Sequence, residues 1–302
     1  FDLKVLGSAV EFDYIVDPTA NVSENITRCG TLDIGNLVYT MNQSINTTVT
    51  CITINANNIT INMNGFNMTG DANSASDYGI SISGYNQTTV KNGKIYNFGA
   101  GIYSAKGYNG NFTNLTISAT GDFDSGSTIY GIYLSGDNNS IIDNNISDIV
   151  NLALTSDNFA YGIYLSSNSN NIIKDNILNG IWGDTSATIK HGSGIVLSSS
   201  SNNTLTNNNI WNCSTTSAGC LYFSNGDNNT ISGGIINFSS TALGLIYLET
   251  NSDNNIFKDI QLIGATKNDT FLTATSVNNT FTNVSYNISK ESVDSGSRLI
   301  RK

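Results

Sequence analysis

The 302-residue chain carries 13 Lys+Arg against 23 Asp+Glu, a net charge of −10, with one His, one Pro and 47 Asn. Charged residues are 12% of the chain, about half the roughly 25% of ordinary soluble domains. Scarce helix formers exclude a Glu/Lys/Ala helical bundle, because Asn competes with helical backbone bonding. A pI near 4.3 excludes a basic nucleic-acid binder, and 39% apolar residues argue against disorder.

The chain opens Phe1-Asp2-Leu3 with neither Met nor a signal-peptide pattern, which reads as a processed or truncated start. No apolar run approaches the ~18 residues of a membrane-spanning helix. Residues 1–28 read as an N-terminal strand, cap or assembly segment, in which Val10, Phe12, Tyr14 and Val16 alternate as in a cap strand or a strand donated to a neighbour. From residue 29 to 289 an internal repeat takes over. Tyr78-Gly79-Ile80-Ser81-Ile82 recurs as Gly101-Ile102-Tyr103, Tyr130-Gly131-Ile132-Tyr133-Leu134, Tyr161-Gly162-Ile163-Tyr164-Leu165 and Ser193-Gly194-Ile195-Val196-Leu197, with weaker copies at Leu221-Tyr222-Phe223 and Ile246-Tyr247-Leu248. Each copy is a short alternating strand. An Asn pair and a second short strand follow it. Successive pairs, from Asn138-Asn139 to Asn278-Asn279, lie 32, 32, 26, 26 and 24 residues apart. Residues 290–302 form a C-terminal tail.

A period of this length, built from short strands and Asn/Gly turns, predicts an all-β single-stranded parallel β-helix. One turn of chain makes one coil, and coils stack about 4.8 Å apart through parallel-sheet bonds. About nine coils predict a rod of ~43 Å. Parity then sorts the asparagines. Ile141, Ile173, Leu205, Ile231, Phe257 and Phe281 each follow the second Asn by two positions, so if these apolar residues point inward, Asn139, Asn171, Asn203, Asn229, Asn255 and Asn279 do too. They would stack as an amide ladder, each amide both donating and accepting in a bent, often left-handed turn. The first Asn of each pair then points outward.

The Gly-Ile-Tyr-Leu and Asn-Asn-Thr/Ser-Ile repeat resembles the right-handed parallel β-helix repeat family, the broad NosD-type and pectate-lyase-like group. The opening Cys29-Gly30-Thr31-Leu32 and Cys51-Ile52-Thr53-Ile54 look like the first coils of secreted archaeal members. The resemblance covers roughly residues 29–289 and implies the fold; the scaffold carries lyases, hydrolases, adhesins and fibres alike.

The glycosylation acceptor Asn-x-Ser/Thr occurs at Asn21, Asn25, Asn42, Asn46, Asn58, Asn67, Asn86, Asn111, Asn114, Asn138, Asn145, Asn202, Asn212, Asn228, Asn237, Asn268, Asn278, Asn283 and Asn287. Heavy N-glycosylation is the expectation; the alternative is a by-product of polar turns. Cys29 and Cys51 lie one coil length apart, and Cys213 and Cys220 bracket a turn beside Trp211, so two disulfides are expected, with buried thiols as the alternative.

Catalytic signals are faint. Pectate lyases use Arg/Lys bases beside calcium-binding carboxylates, and polygalacturonase-like relatives pair Asp residues with Gly-His-Gly. Here His191-Gly192-Ser193-Gly194 is the nearest echo and no Asp pair accompanies it. Asp122-Phe123-Asp124-Ser125-Gly126 lacks the remaining ligands of a calcium loop, so no cofactor or metal is expected beyond N-linked glycans. Insertions near 119–129, 151–160 and 183–193, with Phe123, Phe159, Trp182, Lys190 and His191, read as a contact strip, and no acceptor occurs between Asn145 and Asn202. Residues 1–33 hold six acids and two bases, residues 290–302 four bases and two acids, a polarity suited to head-to-tail association of identical chains. The function expected is a structural subunit of an extracellular, glycosylated cell-surface filament, appendage or layer, with copies of itself and surface polysaccharide as partners. The alternative is a polysaccharide lyase or hydrolase, or a carbohydrate-binding adhesin.

Overall fold

The computed structural model describes residues 4–6, 9–11, 23–121, 123, 127–152, 159–183, 191–214, 218–237, 244–265, 268–273, 275–293, 295 and 299–301. Among them the chain winds as a three-walled solenoid. The front wall is a parallel sheet of eleven strands, stacked in sequence order from Gly30–Leu32 to Glu291–Val293. Each later coil turns from the front wall into a second wall, illustrated by Ser140–Ile142, Ile172–Lys174 and Thr204–Thr206. It then enters a third, illustrated by Asn145–Asn151, Ile177–Trp182 and Asn209–Ser214. The eleven front strands define ten full turns, one beyond the count of about nine, or ~48 Å of stack at the parallel-strand spacing.

The stack also runs past residues 29–289 at both ends. Ser23–Ile26 pairs in parallel with Val38–Met41, and Leu299–Arg301 pairs with Asn279–Thr282. Backbone pairing needs only extended chain, so it continues where the motif fades. Lys4–Leu6 pairs antiparallel with Ala9–Glu11; Phe12, Tyr14 and Val16 lie outside the described residues.

The Gly-Ile-Tyr motif has a steric logic. Its Ile column (Ile80, Ile102, Ile132, Ile163, Ile195) points into the core and is buried. The Gly before it stands at the corner beside the third wall. A Cβ at Gly131 would lie 2.5 Å from the Gly162 carbonyl oxygen and 2.6 Å from Ile146 Cγ2, and a Cβ at Gly162 would meet the Gly194 carbonyl oxygen and Leu178 just as closely.

Between the front and second walls the Asn pairs make the corner. Asn139, Asn171, Asn203, Asn229, Asn255 and Asn279 are buried. The backbone N–H of each of the first five donates to Oδ1 of the next, at 2.8–2.9 Å. Nδ2 of Asn171, Asn203, Asn229 and Asn255 donates to the same oxygen at 3.0–3.1 Å. The left-handed backbone belongs not to these ladder residues but to their exposed predecessors: Asn138, Asn170, Asn202, Asn228, Asn254 and Asn278 have φ of 55–59°. One residue takes the strained turn and the next takes the burial.

Candidate glycan-binding face

Opposite the buried Ile column, the same front strands turn tyrosines outward. Tyr103, Tyr133 and Tyr164 occupy one register column, continued past Val196 by Tyr222, Tyr247 and Phe271. Tyr78 begins the ring stack. Its centroid lies 4.4 Å from Tyr103, Tyr103 lies 4.6 Å from Tyr133, and Tyr133 lies 5.8 Å from Tyr164, with planes within 10° of parallel. From Tyr103 to Tyr164 these spacings follow the rungs, so the pleat itself sets the rings at stacking distance, whereas Tyr78, paired with Ala100, reaches Tyr103 from a register three residues away.

A second file beside it holds Tyr130 and Tyr161. Their rings meet Tyr133 and Tyr164 at 5.0–5.6 Å, and Phe159 stacks on Tyr161 at 6.2 Å. Further along, Tyr222 stacks on Tyr247, and Tyr247 meets Phe271 edge-on. Most of these rings are half-buried; Tyr161, at 8% exposure, is nearly covered. Burial is the main reason that Tyr130, Tyr161 and Tyr222 hold their phenol protons well above the ordinary tyrosine range, reinforced at Tyr222 by a hydrogen bond to Glu249 Oε2. Tyr78 and Tyr103 are shifted the same way, first by burial.

Positive charge from Lys or Arg is absent from the eleven strands of this face, and acids are few. Of the acids, Asp269 on the tenth strand is buried and Glu291 on the eleventh pairs with Arg301, while Asp77 adjoins the face at the third rung and Glu249 stands six rungs further on. That separation is ~29 Å at the rung spacing, against the roughly 5–9.5 Å that glycoside hydrolysis requires of its paired carboxylates. No group of three or more His, Cys, Asp or Glu among the described residues could hold a metal ion.

The residues singled out in the sequence fall as follows. Fifteen of the acceptor asparagines are exposed, Asn67, Asn86 and Asn268 are half-buried, and Asn21 lies outside the described residues. Cys29 and Cys51 form a disulfide across adjacent coils, Cα–Cα 4.4 Å. The second expected disulfide is corrected: Cys213 and Cys220 are buried thiols. Cys213 continues the Ile149–Ile181 column of the third wall, and Cys220 stands in the corner position that Gly194 holds one coil earlier. Two small apolar groups thus fill what Ile and Gly fill in earlier coils. Burial pushes the Cys220 thiol well up, and Cys213 beside it adds to the effect.

The contact strip is also corrected in part. Phe123, 1% exposed, belongs to the core, because its apolar ring finds more cover inside the coil than on the rod surface. Phe159 joins the tyrosine file and Trp182 is 41% exposed on the third wall. Lys190, the side chain of His191 and the Asp122, Asp124, Ser125 and Gly126 positions lie outside the described residues. The tyrosine face itself was visible only as strand residues; the recurring Tyr at one register of Gly-Ile-Tyr was its signal.

A second buried amide ladder escaped the sequence reading. The N–H of Leu115 donates to Asn144 Oδ1, that of Asn144 to Asn176, and that of Asn176 to Asn208, at 3.0–3.1 Å. Its signal is an Asn five residues after each ladder Asn in three successive coils.

Residues 123–292 match the family described as right handed beta helix region, and the chain belongs to it. Among solved structures it is similar to the alginate lyase from Paenibacillus sp. str. FPU-7 at 11% identity, covering 93% of this chain and 98% of that one with TM-score 0.50. It is similar to the Agl-KA catalytic domain at 12% identity, covering 93% and 62% with TM-score 0.55. The Dettilon tailspike protein is similar at 12% identity, covering 93% and 60% with TM-score 0.50. At these identities the likeness is one of fold. No curated protein matches the chain in sequence. No helix among the described residues is long and apolar enough to cross a membrane.

Proposed function

We propose that this chain is an extracellular carbohydrate-binding β-helix that holds an uncharged polysaccharide lengthwise along its front wall. The observation that carries the reading is the outward stack Tyr78–Tyr103–Tyr133–Tyr164 at the repeat of the coils. A β-linked hexose chain advances by a distance comparable with one rung, so successive sugars can meet successive ring edges and their phenol hydroxyls, the ring faces being taken up by one another. The lack of Lys and Arg on the front strands, with a net charge of −10 overall, disfavours uronate polymers. Of the front-strand acids near Glu249, Asp269 is buried and Glu291 pairs with Arg301, and with the wide separation of Asp77 and Glu249 this favours binding over hydrolysis. The Cys29–Cys51 disulfide supports an oxidising, extracytoplasmic setting, and the similar folds include an alginate lyase and a tailspike protein.

The test is affinity electrophoresis and calorimetry against neutral and uronate polysaccharides, with the Tyr103→Ala/Tyr133→Ala double variant alongside. At about 1 kcal/mol for each phenol hydrogen bond lost, the variant should bind a neutral glucan or mannan tenfold or more weakly with its far-UV circular dichroism unchanged. Equal affinity of the variant, or binding of uronates alone, would refute the reading.

A second reading, a head-to-tail subunit of a surface filament, is favoured by the ladder reaching Ser23–Ile26 at one end and Leu299–Arg301 at the other. Lys290 donates to the Ala265 carbonyl and Arg301 pairs with Glu291 within the chain, which fixes these side chains and leaves the charge balance of residues 290–302 unchanged. Sedimentation over a wide concentration range tests this reading; a monomer at every concentration overturns it.

A further inference from the structure

Along a strand, an acceptor Asn and the Ser or Thr two positions on share a face. Any acceptor lying in a solenoid strand therefore points outward, unless both members are buried polar residues. The described residues obey this without exception. None of the eighteen described acceptors is buried, and none of the eleven buried asparagines is an acceptor.

Their distribution around the rod is uneven. Asn58, Asn86, Asn138, Asn202, Asn228 and Asn278 lie at the corner between front and second walls. Asn25 and Asn111 stand on second-wall strands. Asn42, Asn114 and Asn283 occupy the next corner, and Asn46, Asn67, Asn145, Asn212, Asn237 and Asn287 the third wall or the residues bordering it. The front wall has one, Asn268, which opens the tenth of its eleven strands and is half-buried.

Several acceptor amides already make contacts between coils. Nδ2 of Asn58 donates to Asn36 Oδ1 and that of Asn114 to Asn92 Oδ1, both at 2.9 Å, and Nδ2 of Asn212 donates to Asn179 Oδ1 at 2.8 Å. An N-glycosyl amide forms a C–N bond from Nδ2 to the sugar's anomeric carbon with loss of one proton, and it retains one N–H. These contacts can therefore survive modification, so the lattice of outer amides does not oppose it.

We propose that this chain carries N-linked glycans on its second and third walls and on the corners that border them, and that the tyrosine face is left bare. Transfer of the glycan comes from a lipid-linked oligosaccharide donor outside the cytosol; Nδ2 is the nucleophile and the lipid phosphate the leaving group. The coat takes over the solubility that a surface with so few ions lacks. It also leaves the front wall open for a long ligand, and its existence does not depend on that ligand.

The experiment is intact-mass and glycopeptide mass spectrometry on the protein isolated from its natural source. A mass above the bare 32.2 kDa, with occupied peptides drawn from the seventeen described acceptors off the front wall and with Asn268 empty, is the expected result. A mass equal to the bare chain overturns the proposal, and so does stoichiometric glycan at Asn268. Protein made in a bacterial host without N-glycosylation separates this proposal from the carbohydrate-binding one. It should bind neutral polysaccharide as before, and precipitate at a lower concentration than the native material. Equal solubility of the two forms counts against the role given to the coat.

Discussion

Asn171 stands midway in the inner amide ladder, and Asn171→Ala tests whether that ladder carries stability. The substitution removes the Oδ1 that accepts the buried N–H of Asn139 at 2.8 Å, and the Nδ2 that donates to Asn203 Oδ1 at 3.0 Å. Asn203 Oδ1 keeps the backbone N–H of residue 171 as a donor at 2.9 Å, so it is not stranded. The orphaned Asn139 N–H costs about 1–3 kcal/mol and the lost amide bond about 0.5–1.5 kcal/mol. Together these predict a loss of about 1.5–4.5 kcal/mol. The neighbouring Asn170→Ala is the control. Its side chain is exposed, and the main penalty is the left-handed backbone, φ 57°, at about 1 kcal/mol for Ala. Urea unfolding followed by circular dichroism measures both, and hydrogen exchange at the Asn139 amide reports the local effect. An Asn171→Ala variant within about 0.5 kcal/mol of the parent, or undiminished protection at Asn139, would refute the reasoning.

Three further outcomes are expected. Gly131→Ala places its Cβ 2.5 Å from a carbonyl oxygen and 2.6 Å from Ile146 Cγ2, so it should cost at least the roughly 1–3 kcal/mol of core overpacking; an unchanged melting temperature would contradict the corner argument. Removing the Cys29–Cys51 disulfide, which closes a 22-residue separation, should cost about 3 kcal/mol. Thiol titration without reductant should find two groups, Cys213 and Cys220, reactive only after denaturation; four would contradict the disulfide and none the free pair. Tyr130, Tyr161 and Tyr222 keep their protons in the folded chain above the unfolded tyrosine value of about 10. Unfolding then releases protons in that range, so the stability these phenols contribute is complete below pH ~10 and declines as pH rises above it. Ultraviolet titration should show a set of tyrosines ionising only with the alkaline unfolding transition; complete ionisation of a still-folded chain would contradict it.

The coil, its parallel pairing and the first amide ladder were legible because each repeats at a fixed offset, and parity turns an offset into a direction. Repetition also explains what was missed. The Asn144–Asn176–Asn208 ladder spans three coils before Gly234 takes the position, too short a run to stand out against 47 asparagines. Phe123 sits in an insertion, where no period says which way a side chain points, and it went inside. Cys213 and Cys220 show the opposite error. Their short separation suggested a bond, whereas the register places them in two core columns that elsewhere hold Ile and Gly. The tyrosine face needed three dimensions, because residues 30 apart in sequence become neighbours only when the coils close.

The inner ladder has one more consequence, for how such a chain can change length. From Asn171 to Asn255 each ladder residue donates its backbone N–H and its Nδ2 to the next Oδ1, in the same direction along the axis. Excising residues 172–203 would join Asn171 directly to Thr204 and bring Asn171 over Asn229, with each donor meeting an equivalent acceptor. A gene for this rod can therefore be shortened or lengthened by whole coils through simple recombination. The cut leaves no scar in the hydrogen bonding, whereas a gain or loss of a single residue inside a strand would turn that wall inside out.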